Sequence, residues 1–430
     1  MLIMLKNILV NFLGIICKFL KGCFMSFYPK VMSFGFIANL VFLQVLLHAN
    51  IPLFDKYPKM SERIPHINLG NYPSPLVKVE ELSKKMGLKD LYIKDDGYSE
   101  DAKILTGNKM RKLEFLLAEA KKKGYRTVCT VGSAGSNHAL ETAICAKKTG
   151  LNAVLVLDDQ RQTSVVIRNL KLMIYFDAAV IYAPPCFDTN EKLEQHAQEI
   201  CTKNGYYFIP VGGSNELGSI GYVNAVFELK KQMEEMGIKE PDVIYITLGS
   251  TGTAAGVLAG ANAAGLKSKI IPVRISYTPE YKTKFLCDLV NKTGKYLKEV
   301  DETFDFAEAQ LRQGGIQLVI PGINIEINHD CVGEGYAAVT PKAADAISLL
   351  YHATGNKLEA TYTGKTLSAL IDDADNGILK GKTILFWNTF SYGAFEEFTS
   401  QVSDEQLRKN LPLEFIHYLT YQLQPNDPGI

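Results

Sequence analysis

From about residue 127 onward, short runs of branched and apolar residues alternate with longer amphipathic stretches. Segments 127–131, 153–157, 179–182 and 206–210 predict short strands, and stretches near 137–149, 163–174 and 190–203 predict the helices between them. Segments 243–248, 271–275 and 383–387 continue the pattern as a second set of strands. Strands separated regularly by helices predict parallel βαβ units, and so an α/β fold. Upstream, 91–96 is a short strand ending in acids. From Met110 the spacing of Leu113, Leu116 and Leu117 predicts an amphipathic helix, entered through the turn Thr106-Gly107-Asn108. There is no internal repeat and no low-complexity linker.

Residues 1–54 break this pattern. Residues 1–20 are mostly apolar, with Lys6 and Lys18 the charged residues among them, and residues 31–54 contain no Asp, Glu, Lys or Arg. Such a run is long enough to span a bilayer, although Asn39, Gln44, His48 and Asn50 weaken it. Lys18, Lys21 and Lys30 precede it, as in a signal sequence or an N-in anchor. A third reading is an over-long translation start, with Met25 or Met32 as the true beginning. A membrane is therefore expected as a partner only through residues 1–54; otherwise a cytoplasmic protein is expected.

Composition narrows the function classes. Lys+Arg and Asp+Glu each total 46, and no basic run interleaves with aromatics, which argues against nucleic acid as the main partner. The cysteines are dispersed and never form C-x-x-C, so a zinc site or disulfide scaffold is not expected and a reducing compartment is. G-K-T occurs at 364–366 and 381–383, but the earlier glycine of a nucleotide loop is Glu359 in one case and Asn376 in the other.

Three stretches carry candidate chemistry. In G-N-K-M-R-K-L-E-F-L-L (107–117), Lys109 stands at the loop–helix junction beside Arg111 and Lys112. Neighbouring cations lower an amine's proton affinity and favour the neutral nucleophile that forms a Schiff base; the alternative is a solvated basic helix start. In G-S-A-G-S-N-H (132–138), small residues follow a strand, so backbone N–H groups can face an anion while Ser136 and Asn137 cap the next helix. In L-G-S-T-G-T (248–253), Gly249, Ser250, Thr251, Gly252 and Thr253 open a helix of small residues. That is either a phosphate cradle of N–H groups or a tight strand–helix turn. The spacing is not the dinucleotide fingerprint. V-G-G-S-N (211–215) reads as a glycine-rich connection with close backbone packing or a hinge.

In these stretches, in I-P-L-F-D-K-Y-P and L-G-N-Y-P-S-P-L near residues 51–76, and in E-A-T-Y-T-G-K (359–365), the chain resembles the 1-aminocyclopropane-1-carboxylate deaminase/D-cysteine desulfhydrase family. The resemblance covers about residues 51–400. It implies a fold-type-II pyridoxal-phosphate enzyme with two lobes, each a mainly parallel sheet flanked by helices. Residues 51–111 and 226–430 would form the large lobe, 112–225 a smaller inserted one, and 1–50 an extension. It implies that Lys109 carries pyridoxal 5'-phosphate and that 249–253 hold its phosphate. Ser136 would act near the substrate, Asn137 near the cofactor ring, Tyr362 as acid or base, and Thr389 near the pyridine nitrogen. A small amino-acid substrate and a homodimer are expected.

Departures from the family pattern bear on the pocket. Ala134-Gly135 replaces Ile-Gln, Leu140-Glu141 replaces Arg-Gln, Thr251 replaces a glycine, and Asn388, Phe390 and Ser391 depart from F-I-H-T-G-G. Thr363 matches the desulfhydrase-like Y-T-G-K in preference to Y-E-G-K. A hydroxyl at Thr389 leaves the pyridine nitrogen largely unprotonated, which favours β-elimination over transamination. The expected reaction is therefore β-elimination from D-cysteine to pyruvate, ammonia and sulfide. The alternatives are deamination of 1-aminocyclopropane-1-carboxylate to 2-oxobutanoate and ammonia, a β-replacement synthase, or a non-catalytic cofactor-binding protein.

Overall fold

The computed structural model describes residues 51–98, 107–184, 190–393 and 395–429. The apolar run at residues 1–50 and Leu105-Thr106 ahead of the lysine segment lie outside them. Among the described residues, no helix is long and apolar enough to cross a membrane.

Two sheets carry the fold. The larger is built from β1 (Leu76–Lys78), β2 (Asp90–Asp95), β7 (Val243–Leu248), β8 (Lys269–Arg274), β11 (Asn324–Ile325) and β12 (Thr383–Asn388), in the order β1-β2-β12-β7-β8-β11. All its pairings are parallel except β1 with β2. The smaller is wholly parallel and has the order β5-β4-β3-β6, from β3 (Thr127–Ser133), β4 (Asn152–Asp158), β5 (Ala179–Tyr182) and β6 (Tyr207–Ile209). A short antiparallel pair, β9 (Gln310–Arg312) and β10 (Gln317–Val319), stands apart.

The helices that matter to the site are α1 (Asn108–Lys122), α2 (Asn137–Thr149), α3 (Ser164–Tyr175), α4 (Asn190–Asn204), α5 (Glu216–Met236), α6 (Gly252–Ala264), α7 (Pro279–Val300) and α9 (Thr363–Asp375), with α8 (Pro341–Thr354) packed on α9. The central strands read as continuous apolar runs because helices cover both faces of a parallel sheet. Leu91, Ile93, Tyr245, Val273, Ile384 and Phe386 share one core with Leu367 and Leu370 of α9. Cys129, Val131, Val154 and Val156 form another with Leu193 and Ala197 of α4.

Beneath α1 lies a buried charge network. Arg111, 1% exposed, donates to Asp96 at 2.9 and 3.0 Å and to Glu228 at 2.8 and 3.0 Å. Lys94 donates to the same Glu228 at 2.5 Å, and Tyr222 and Trp387 donate to Asp96 at 2.5 and 2.8 Å. A buried ion is stable only when its partners replace water, and here every charge has several. The network fixes α1 against β2 and α5, and thereby sets where Lys109 stands.

Candidate functional site

Five parallel strands end at one cavity of about 300 Å³. β3, β4, β7, β8 and β12 deliver Ser133, Asp158, Gly249, Ile275 and Thr389 there, at the carboxyl ends where α/β sheets place ligands. Of the residues singled out from sequence, Lys109, Ser136, Asn137, Gly249, Ser250, Thr251, Thr253, Tyr362 and Thr389 all line it.

Lys109 belongs to the first turn of α1, which begins at Asn108, two residues before the expected start. Gly107 enters the helix at φ +149°, and a Cβ there would fall 2.5 Å from a Glu141 carboxylate oxygen, so a side chain would strain the backbone and displace Glu141. Lys109 Nζ donates to Asn108 Oδ1 at 2.9 Å, and Asn108 Nδ2 donates to Thr253 Oγ1 at 3.0 Å, which ties the lysine to the 249–253 loop. Burial lowers the proton affinity of Lys109, while Glu141 and Glu359 oppose it. This corrects the expected cause: Arg111 is consumed by Asp96 and Glu228 and does not discharge the lysine. Nor is the helix start solvated, since Arg111 and Lys112 are both buried.

The loop after β7 fits a phosphate. Thr251 precedes α6 without capping it, so the first N–H groups of α6 receive nothing from that side chain. Its buried Oγ1 has no partner among the described residues. Thr251 holds φ +83°, a conformation that a glycine adopts freely, which explains the family's glycine at this position. Gly252 does not line the cavity; its N–H donates to Ser214 Oγ at 3.2 Å, and a Cβ there would lie 2.8 Å from both Ser214 Oγ and Lys112 Nζ. Lys112, which the sequence reading missed, is a buried cation behind this loop. Its amine bonds Gly212 O at 2.9 Å and is held well below the usual lysine range by burial and by Lys109. Its place on the lysine helix, one turn on from Lys109, was the available signal.

The V-G-G-S-N stretch is a packing element. Gly212, at φ +65°, leaves room for Ser250, whose Oγ accepts from Ser214 at 3.0 Å. Asn215 caps α5.

On the opposite wall, Ser136 Oγ accepts from Ala139 N at 3.2 Å to cap α2, which leaves its own proton free to donate. Asn137 Oδ1 accepts from Asn169 at 3.0 Å. His138, which opens α2 beside Asn137, meets Thr130 Oγ1 through Nε2 at 2.9 Å. Thr130 has given its proton to Ile209 O, so the ring proton sits on Nε2.

Tyr362 Oη pairs with Tyr336 Oη at 2.6 Å, and Ser133 Oγ donates to Tyr336 at 3.2 Å. Burial holds both phenols above their ordinary pKa, and Tyr362 well above, so each keeps its proton. Tyr336 closes the stretch G-E-G-Y (333–336), whose sequence alone assigns it no chemistry. Glu359 also lines the cavity, yet its carboxylate is consumed by the N–H groups of Thr361, Tyr362 and Thr363, which starts α9. The Thr363 hydroxyl is likewise engaged by Glu359, accepting from its N–H and donating to its carboxylate, while Thr389 lines the cavity. Phe390, 2% exposed, closes the Thr389 end under the Arg168 guanidinium, 5.3 Å from its ring centre. Both G-K-T segments are structural: Lys365 bonds the carbonyls of Val332 and Gly335, and Gly381 forms the turn into β12.

Two sheets with parallel strands, a lysine and an anion cradle at their carboxyl ends define the fold-type-II pyridoxal-phosphate enzymes. The chain belongs to the pyridoxal-phosphate dependent enzyme family, whose model matches residues 67–389. Pyridoxal phosphate is thus its cofactor, and the cavity, the open N-terminus of α6 and the unpartnered Thr251 hydroxyl suit it. The chain is 30% identical over 351 residues to a "Putative 1-aminocyclopropane-1-carboxylate deaminase" of Pyrococcus abyssi, spanning 79% of this chain and 97% of that relative. A solved structure described as an ACC deaminase homologue superposes with TM-score 0.63 at 27% identity, covering 80% of this chain and 98% of the other. The processed form of threonine deaminase isoform 2 from Solanum lycopersicum, at 16% identity and TM-score 0.51, covers 85% and 95% and shares the fold.

Proposed function

We propose that this member of the deaminase/lyase family catalyses β-elimination on a small amino acid, with D-cysteine giving pyruvate, ammonia and sulfide. One observation carries the reading: a partly desolvated lysine and a hydrogen-bonded tyrosine pair face one cavity, where the carboxylate of Glu359 is spent on backbone N–H groups. When bound, the cofactor supplies an electron sink for charge at the substrate's α-carbon. Lys109 would hold it covalently, the N–H groups of Ser250, Thr251 and Thr253 with Lys112 behind them would hold its phosphate, and Asn137 and Thr389 would meet its ring. Ser136 donates its free proton to the substrate carboxylate. Lys109 Nζ, once free, takes the α-proton, because desolvation favours its neutral form. Tyr362 Oη retains its proton and delivers it to the departing sulfur, with Tyr336 as the neighbouring donor. Division into lobes 51–111 plus 226–430 and 112–225, and a homodimer, belong to the same proposal.

A second reading, deamination of 1-aminocyclopropane-1-carboxylate, is supported by the descriptions of the two most informative relatives. Thr363 weighs against it, since the deaminase-like motif has a carboxylate there. Purified holoenzyme assayed on both compounds separates them. Sulfide release from D-cysteine should exceed ammonia release from the cyclopropane, and Thr363→Glu should shift the balance away from thiol elimination. A clear preference of the wild type for the cyclopropane would select the second reading.

A further inference from the structure

The mechanism leaves one cavity amine without a task. Lys282, in the first turn of α7, is 3% exposed and lines the cavity beside Ser276 and Tyr277. Its Nζ donates to Gly249 O at 2.8 Å and lies 4.6 Å from the centre of the Tyr277 ring. No carboxylate forms an ion pair with it among the described residues. Charged groups of both signs surround it: Asp158 and Asp159 also line the cavity, and Glu191, Asp158 and Glu194 bear on the neighbouring Tyr277. Arg274, spent on the carbonyls of Tyr277 and His329 and on His329 Nδ1, repels it, while Glu191 attracts it and accepts from Tyr281 Oη. Burial and Arg274 bring Lys282 down to about 8, so it carries its charge near neutral pH.

A buried ammonium that only a carbonyl and an aromatic face satisfy is an unfavourable arrangement, and an anion arriving in the cavity relieves it. Tyr277 holds φ +63° to reach this position, and such backbone strain in a bulky residue collects where ligands are bound. The other two amines are accounted for: Lys109 is tied through Asn108 to Thr253, and Lys112 sits behind Gly252.

We propose that Lys282 recognises a second anionic group on the substrate, so that the enzyme selects amino acids with an anionic β-substituent: a thiolate, sulfinate, carboxylate or phosphate. The proposal rests on the cavity being the site of a pyridoxal-phosphate lyase, and it ranks D-cysteine, through its thiolate, as the smallest member of the class.

Holoenzyme of the wild type, Lys282→Gln and Lys282→Arg tests it. Both enantiomers of cysteine sulfinate and O-phosphoserine, with β-chloroalanine as the neutral comparator, are titrated against the visible band of the bound cofactor, and pyruvate formation is followed in parallel. Cofactor affinity is measured separately. Lys282→Gln should weaken binding of the anionic compounds by about 30-fold or more, as expected for truncating one side of a desolvated charge pair. The neutral compound should change far less, Lys282→Arg should keep part of the preference, and cofactor affinity should hold. Equal loss for charged and neutral compounds would overturn the proposal. So would release of cofactor by Lys282→Gln, which would make Lys282 a phosphate ligand. A wild type that binds the anionic compounds preferentially but forms no pyruvate overturns only the β-elimination reading; one that binds no cofactor overturns both.

Discussion

Asn137 has one amide to orient, and the guanidinium of Arg168 decides which end faces the cavity. Arg168 can only donate, and it does so to Asn169 Oδ1 through Nε and Nη2 at 3.0 and 2.9 Å. Asn169 must then present its Nδ2, which it donates to Gly135 O at 2.8 Å and Asn137 Oδ1 at 3.0 Å. That leaves the Nδ2 of Asn137 as the donor available to an oxygen on the cofactor ring. Asn169→Asp keeps the shape but removes the donor. It should weaken cofactor binding about tenfold, the order of one buried hydrogen bond left unmade, and move the visible band of the bound cofactor. An unchanged spectrum and affinity would show that Asn137 is held in some other way. None of this relay was legible in the sequence, because Arg168 and Asn169 lie 31 and 32 positions beyond Asn137, on α3, and match no motif. Lys109, Ser136 and Thr251 were legible, since each sits in a local turn whose glycines and hydroxyls announce it. The cause of the lysine's weakened basicity was not: adjacency of charges along the chain says nothing about which of them are already paired.

Strands and helices were readable wherever the hydrophobic period was clean. The stretches at 179–182 and 243–248 and the helix at 137–149 appear with the expected bounds, the first as a half-buried edge strand and the second as a fully buried central one. Segment 271–275 forms two residues earlier, as Lys269–Arg274, since Ile275 turns off to line the cavity. The polarity of α1 misled most: Arg111, Lys112 and Glu114 look like a solvated face and are all buried. Removing the guanidinium by Arg111→Met strands Asp96 and part of Glu228, at a cost of roughly 3–5 kcal/mol. Urea unfolding should report it, and a midpoint equal to that of the wild type would deny the network its role. The same cluster fixes an acid dependence. Glu228 is depressed to about 2 because Arg111 and Lys94 outweigh its burial. Its contribution is therefore complete above the ordinary glutamate range and lost as pH falls towards 2. The acid-side loss should shrink in Arg111→Met.

At the scale of the whole molecule, the α/β class and the site at strand ends followed from the alternation of elements. The division into two sheets was implied by the family resemblance, but the order of strands within each was not, because strand order is a property of pairing across long sequence distances. Tyr336 shows the same limit, since it reaches Tyr362 across 26 residues and Ser133 across 203. The central claim is that Lys109, among the three amines at or behind the cavity, Lys109, Lys112 and Lys282, carries the cofactor. Borohydride reduction of the wild-type holoenzyme, followed by peptide mapping, tests this directly. The account predicts a single pyridoxyl group on Lys109 and, in Lys109→Ala, bound cofactor that borohydride no longer traps, with turnover lower by orders of magnitude. An adduct on Lys112, Lys282 or any other lysine would contradict it.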